Sequence, residues 1–142
     1  MNRADVILRH AIVADDNHAI RQSMIALLMT VFMHARISEA QNGHQVLDLV
    51  TSDPPDLVIM DLEMPQLNGL DTTREIKTRC HVIRVIVLAL EPHHHSLALQ
   101  AGADACVLKG IRSEELLRVI AQLGFEVSSV WPFGYRSSQA LQ

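Results

Sequence analysis

Four short runs along the chain are apolar at every position: residues 11–14 (AIVA), 57–60 (LVIM), 85–90 (VIVLAL) and 105–108 (ACVL). A fifth run, residues 35–40 (ARISEA), is weaker and half polar. Strands without alternation suit a parallel sheet covered on both faces. The intervening segments carry helical spacing. Ile20, Met24, Leu27, Leu28 and Val31 fall on one face. Val46, Leu47 and Val50 mark a second helix, and Leu70, Thr73, Ile76 and Lys77 a third that follows Gly69. A short fourth helix is expected near residues 96–101, ended by Gly102. A fifth opens at Ser113 as N-cap, with Glu114 and Glu115 in its first turn and Leu116, Ile120 and Leu123 as its buried stripe.

Five strands alternating with five helices predict an α/β fold: a doubly wound five-stranded parallel sheet of flavodoxin-like order 2-1-3-4-5. The expected domain is residues 8–124. Residues 125–142 lose the pattern and read as a C-terminal tail or a truncated linker.

Composition narrows the class. The chain has 142 residues, 49% of them hydrophobic, enough for one buried core. It has no apolar run of about 18–20 residues, so no membrane span is expected. Its start lacks a signal-peptide pattern, which points to the cytoplasm. Cys80 and Cys106 are too few for a disulfide framework and lack metal-ligand spacing. A net charge of -4 argues against nucleic acid as a partner of this domain. The chain's two lysines are Lys77 and Lys109.

Ligands of such sheets bind beyond the carboxyl ends of the strands, where the strand order reverses. Asp15 and Asp16 end the first strand and Asp61 the third, so three carboxylates are expected in one crevice. Packed like charges either raise a pKa or recruit a cation, and hard oxygen donors in an incomplete set suit Mg2+. Lys109 ends the fifth strand and reaches over the same edge. Each piece alone reads as a cap or a solvated charge. Together they are the parts for phosphoryl transfer to a carboxylate.

The blocks IVADDNHAIR, PDLVIMDLEMPQLNGLD and AGADACVLKG resemble the response regulator receiver family of two-component systems, over roughly residues 8–124. The resemblance implies a phosphoacceptor signalling domain, not a classical enzyme, in a Mg2+-dependent phosphorelay. Asp61 would accept the phosphoryl group from a sensor histidine kinase or phosphotransfer protein. Asp15, Asp16, Asp61 and the backbone carbonyl of Glu63 would hold Mg2+, and Lys109 would contact the phosphoryl oxygens. Pro65 and Gly69 would shape the loop after the third strand, with Asn68-Gly69 suiting a positive-φ turn. The blocks look like the branch that often precedes a helix-turn-helix output domain, of which these 142 residues contain no sign. A homodimer is compatible with the resemblance.

Three positions depart from the family pattern. Ala89 stands where a Ser or Thr hydroxyl normally bonds the phosphoryl group, removing a charge-assisted bond of roughly 1.5–3 kcal/mol. Cys106 stands where a Tyr or Phe normally follows that hydroxyl. Gly110 replaces the common Pro after Lys109. The expected consequence is a weak or altered response to phosphorylation across the strand 4–helix 4–strand 5 face. The alternative function is a degenerate, phosphorylation-independent protein-binding module. A haloacid-dehalogenase-like phosphatase is disfavoured, because its D-x-D pair belongs on the first strand. His93, His94 and His95 read as a solvated loop rather than a metal site, Cys106 as inert, and Trp131, Phe133 and Tyr135 as a frayed tail.

Overall fold

Three of the runs without a polar residue form the middle of the sheet, residues 105–108 form one edge, and the half-polar run forms the other. In the computed structural model, which describes residues 6–127, the elements are β1 (His10–Ala14), α1 (His18–Val31), β2 (Arg36–Ala40), α2 (Gly43–Ser52), β3 (Leu57–Asp61), α3 (Gly69–Arg79), β4 (Arg84–Ala89), α4 (His94–Gln100), β5 (Ala105–Leu108) and α5 (Ser113–Gln122). All strand pairs are parallel and the order is β2-β1-β3-β4-β5, as expected.

The two-residue period of a strand sorts the core into two layers. Ala11, Val13, Leu57, Ile59, Ile86, Leu88 and Val107 pack with Leu28 and Val31 of α1 and with Leu116, Leu117 and Ile120 of α5. Ile12, Ala14, Val58, Met60, Val85, Val87 and Ala89 pack with Val46 and Val50 of α2, Ile76 of α3 and Ala98 of α4. The first layer extends into the segment expected as tail: Phe125 and Val127 are buried in it. Phe125 bridges Val6, with Val6 N–H donating to Gly124 O at 2.7 Å. Trp131, Phe133 and Tyr135 lie outside the described residues.

The helices differ from expectation mainly at their ends. Asn17, Asn42 and Asn68 cap α1, α2 and α3, each side chain accepting the backbone N–H three residues on. Asn68-Gly69 is therefore a helix start and not a positive-φ turn. The left-handed residue of that loop is Gln66, at φ 68°. Gly69 is needed for contact: a Cβ there would lie 2.6 Å from Asp61 O and 2.8 Å from Leu62 Cα, both backbone atoms. Ser113 is the first residue of α5 rather than its N-cap, which is Arg112 and makes no side-chain capping bond. The buried stripe of α1 is Arg21, Leu28 and Val31, whereas Ile20 is exposed. The α4 helix starts two residues before the expected boundary, so His94 and His95 lie in its first turn.

Asp104 ties the strand starts together. Its carboxylate accepts from Lys77 Nζ at 2.7 Å, Val85 N–H at 2.8 Å and Arg84 Nη1 at 3.2 Å. This engages the chain's second lysine at the end of the sheet opposite Lys109.

Candidate functional site

Sheet register brings the acids together. Ala14 pairs with Met60, so Asp15 and Asp61 stand side by side one step further along β1 and β3. Both are almost fully buried, at 2% and 4% exposure, whereas Asp16 is exposed. Carboxylate oxygens of Asp15, Asp16 and Asp61 all lie within 4.8 Å of one another. Lys109, the first residue after β5, is fixed by its N–H donating to Ala89 O at 2.8 Å.

The Lys109 ammonium bridges the two buried acids. It donates to Asp61 Oδ2 at 2.7 Å and lies 3.1 Å from Asp15 Oδ2. The second contact is an ion pair without hydrogen-bond geometry, so Asp15 Oδ2 is buried with no hydrogen-bond partner. The other oxygens are held locally: Asp15 Oδ1 accepts Asn17 N–H at 2.9 Å, and Asp61 Oδ1 accepts Glu63 N–H at 3.2 Å.

The electrostatics of this group are unbalanced. Burial pushes the Asp61 carboxyl above its ordinary range, helped by the neighbouring Asp15 charge and opposed by Lys109 and the Glu63 N–H. Burial also pulls on the Lys109 ammonium, but Asp61 and Asp15 together more than offset it and hold its pKa above the ordinary lysine value. The lysine is therefore firmly charged, and the buried carboxylates remain under-compensated. A buried carboxylate oxygen that accepts no hydrogen bond, beside two more acids, is a set of hard ligands, and it fits a divalent cation such as Mg2+.

An open cleft of about 610 Å³ runs over the cluster, lined by Asp16, Asp61, Glu63, Asn68, Leu90 and Lys109 among others. Beside it, Ile20, Met24 and Leu27 of α1 face Leu108 and Ile111 across an apolar groove of about 440 Å³. Gly110 follows Lys109 at φ 84°, and no peptide bond among the described residues is cis.

Ala89 is buried at the end of β4 on the face covered by α2, α3 and α4, and half-buried Cys106 packs against the same layer. Burial raises the Cys106 thiol pKa, which disfavours the reactive thiolate. His93 pairs with Glu91 at 3.1 Å and its ring lies 4.2 Å from that of His94. The three histidines form no cluster of three or more metal-ligating groups among the described residues.

Arg21 was not anticipated. It is 5% exposed, and its guanidinium reaches back to the loop that carries Asp15. Its place seven residues before Leu28, on the buried stripe of α1, is the signal that finds it. Nor was His10, buried at the start of β1 with Nε2 at 2.7 Å from Ser38 Oγ. No described helix is long and apolar enough to cross a membrane.

A family model described as the response regulator receiver domain matches residues 11–121. The nitrate/nitrite response regulator protein NarL of Escherichia coli K12 is 33% identical over 110 residues, which cover 76% of this chain and 51% of NarL. The response regulator MprA of Mycolicibacterium vanbaalenii is 35% identical over 108 residues, covering 75% and 46% respectively. The chain thus spans about half the length of the curated relatives it matches. Among solved structures, a DNA-binding response regulator of the LuxR family from Staphylococcus aureus aligns with TM-score 0.71 and 31% identity, over 82% of this chain and 99% of that one. The BeF3-activated DrrB receiver domain shares the fold at TM-score 0.73 and 24% identity, over 82% and 97%.

Proposed function

Because this chain belongs to the response regulator receiver family, we propose that it accepts a phosphoryl group on Asp61 in a two-component phosphorelay. The observation that carries this reading is the Lys109 ammonium bridging two buried carboxylates, one of which keeps an oxygen without a hydrogen-bond partner. A purely structural ion pair would satisfy its buried oxygens.

An oxygen of the ionised Asp61 attacks phosphorus in line, the bond from phosphorus to the donor's nitrogen or oxygen breaks, and an aspartyl phosphate forms. Lys109 is already 2.7 Å from Asp61 and turns from the carboxylate to an equatorial phosphoryl oxygen as charge builds there. Asp15, Asp16, Asp61 and the Glu63 carbonyl would hold Mg2+, which when bound would supply charge neutralisation for the phosphoryl oxygens and favour the Asp61 anion. The Glu63 N–H keeps one Asp61 oxygen fixed and so orients the nucleophile. The open cleft admits a donor, and the apolar groove beside it fits the helical surface of a histidine kinase or phosphotransfer protein.

A second reading, a receiver that binds partners without phosphate, rests on Ala89 and Cys106. The two are separated by incubating the protein with acetyl phosphate and Mg2+ and measuring intact mass. One phosphoryl mass, absent when Mg2+ is chelated and absent in Asp61→Asn, is expected. An unchanged mass with a bound, saturating cation favours the second reading.

A further inference from the structure

We propose that Arg21 is a positioning residue for the divalent-cation site: it holds the Asp15 main chain where the three carboxylates match a small octahedral ion. The inference rests on the Mg2+ reading above and adds a residue that touches neither cation nor phosphoryl group.

The α1 helix presents an arginine where its stripe otherwise buries Leu28 and Val31. Three arms of that guanidinium are engaged. Nη1 donates to the Asp15 carbonyl at 2.8 Å, Nε donates to Glu39 Oε1 at 2.7 Å, and Nη2 donates to His18 Nδ1 at 3.1 Å. Glu39 lies on β2 and also accepts from Gln22 at 2.7 Å. The planar fork therefore links the edge strand, the first turn of α1 and the loop between β1 and α1.

Asp15 is thereby fixed on both sides of its backbone. Its N–H donates to Ala40 O at 3.1 Å, and its carbonyl takes the Arg21 bond. Its Oδ1 is tied to Asn17 N–H in the same loop, so the carboxylate cannot reorient independently of that loop. The placement of Oδ2, which is ion-paired with Lys109 but accepts no hydrogen bond, then follows the main chain that Arg21 holds. Asn17 is itself braced, capping α1 through Ile20 N–H and accepting Arg21 N–H on its carbonyl at 3.0 Å.

A clamp of this kind has an ion-specific consequence. Mg2+ demands near-ideal octahedral geometry and short contacts, whereas Ca2+ tolerates a larger and more irregular shell. Loosening Asp15 therefore weakens Mg2+ more than Ca2+, whereas loss of folded protein weakens both alike. Groups that orient ligands from outside the coordination shell carry effects on metal affinity of this order, about 10-fold at the low end.

The test is titration of the full chain with MgCl2 and with CaCl2, followed by amide NMR shifts of Asp15 and Asp16, in wild type, Arg21→Met, Arg21→Lys and Glu39→Gln. In Arg21→Met, Mg2+ affinity is expected to fall about 10-fold and Ca2+ affinity by no more than about threefold. Arg21→Lys, which can reach the Asp15 carbonyl with one donor, is expected to recover part of the Mg2+ affinity. Glu39→Gln changes an exposed partner and keeps the test available should Arg21→Met not fold. Its expected change has the same direction and is smaller. Equal losses for both ions, or Mg2+ affinity unchanged in both Arg21→Met and Glu39→Gln, overturn the inference while leaving Asp61 as acceptor. A wild-type protein that binds neither ion removes the inference together with the reading beneath it.

Discussion

Replacing Lys109 with Met removes the cation that lies 2.7 Å from Asp61 and 3.1 Å from Asp15. Removing one partner of a buried ion pair costs about 3–5 kcal/mol, because the remaining charge keeps its desolvation penalty. The Lys109 side chain is 16% exposed and the cleft above it is open to water, so the low end, about 3 kcal/mol, applies. For a domain of this size that corresponds to a fall in Tm of about 10 °C. The loss depends on pH with a defined sign. Burial already raises the folded-state pKa of Asp61, and removing the cation raises it further. A carboxyl with a raised folded pKa is penalised above that pKa and unpenalised where both states are protonated. The deficit of Lys109→Met is therefore largest at pH 7 and shrinks as pH falls toward the ordinary carboxylate range. The double variant Lys109→Met/Asp61→Asn removes the unpaired charge and recovers at least about half of the loss. Urea and thermal unfolding, followed by circular dichroism at pH 7 and pH 5, measure all of these. The electrostatic account is refuted if Lys109→Met matches wild type at pH 7, or if the double variant is no more stable than Lys109→Met.

Three further substitutions probe separate features. Gly69→Ala places a Cβ against the Asp61 and Leu62 backbone, and equilibrium unfolding should register a loss of about 1–3 kcal/mol, with slower phosphorylation of Asp61. Asp104→Ala deprives Lys77, Arg84 and the Val85 N–H of their common acceptor, and urea titration should give a loss of about 3 kcal/mol with Mg2+ affinity unchanged. Ala89→Thr adds two heavy atoms to a buried site, lowering stability by about 1–2 kcal/mol. It also supplies the missing hydroxyl, so beryllofluoride should produce larger amide shifts over residues 90–100 than in wild type. Equal shifts would show that Ala89 does not limit the response.

The sheet was readable from the sequence because its inner strands each carry four or more consecutive apolar residues, and the acidic crevice because its members stand at the carboxyl ends of β1 and β3. Asp15, Asp61 and Lys109 follow from strand parity and order alone. What escaped was set by interactions across sequence distance or by competing local chemistry. The stripe position of Arg21 signals burial, but its partners Glu39, His18 and the Asp15 carbonyl are visible only in the fold. Asn68-Gly69 satisfies a turn rule and a capping rule equally well, and the close Asp61 backbone decides for the cap. The left-handed position expected at Asn68-Gly69 falls instead on Gln66, at φ 68°. Phe125 and Val127 are short apolar signals in a polar context, and only pairing with Val6 shows why the packed chain extends to them.

The central claim, that Asp61 takes the phosphoryl group, is tested most directly by locating the modification. Protein phosphorylated with acetyl phosphate and Mg2+ is reduced with borohydride, which converts an aspartyl phosphate to homoserine, and its peptides are sequenced by mass spectrometry. The account predicts homoserine at position 61, absent without Mg2+ and absent from Asp61→Asn. Homoserine at position 15 or 16 instead, or an unmodified Asp61 in protein that binds Mg2+, would contradict it.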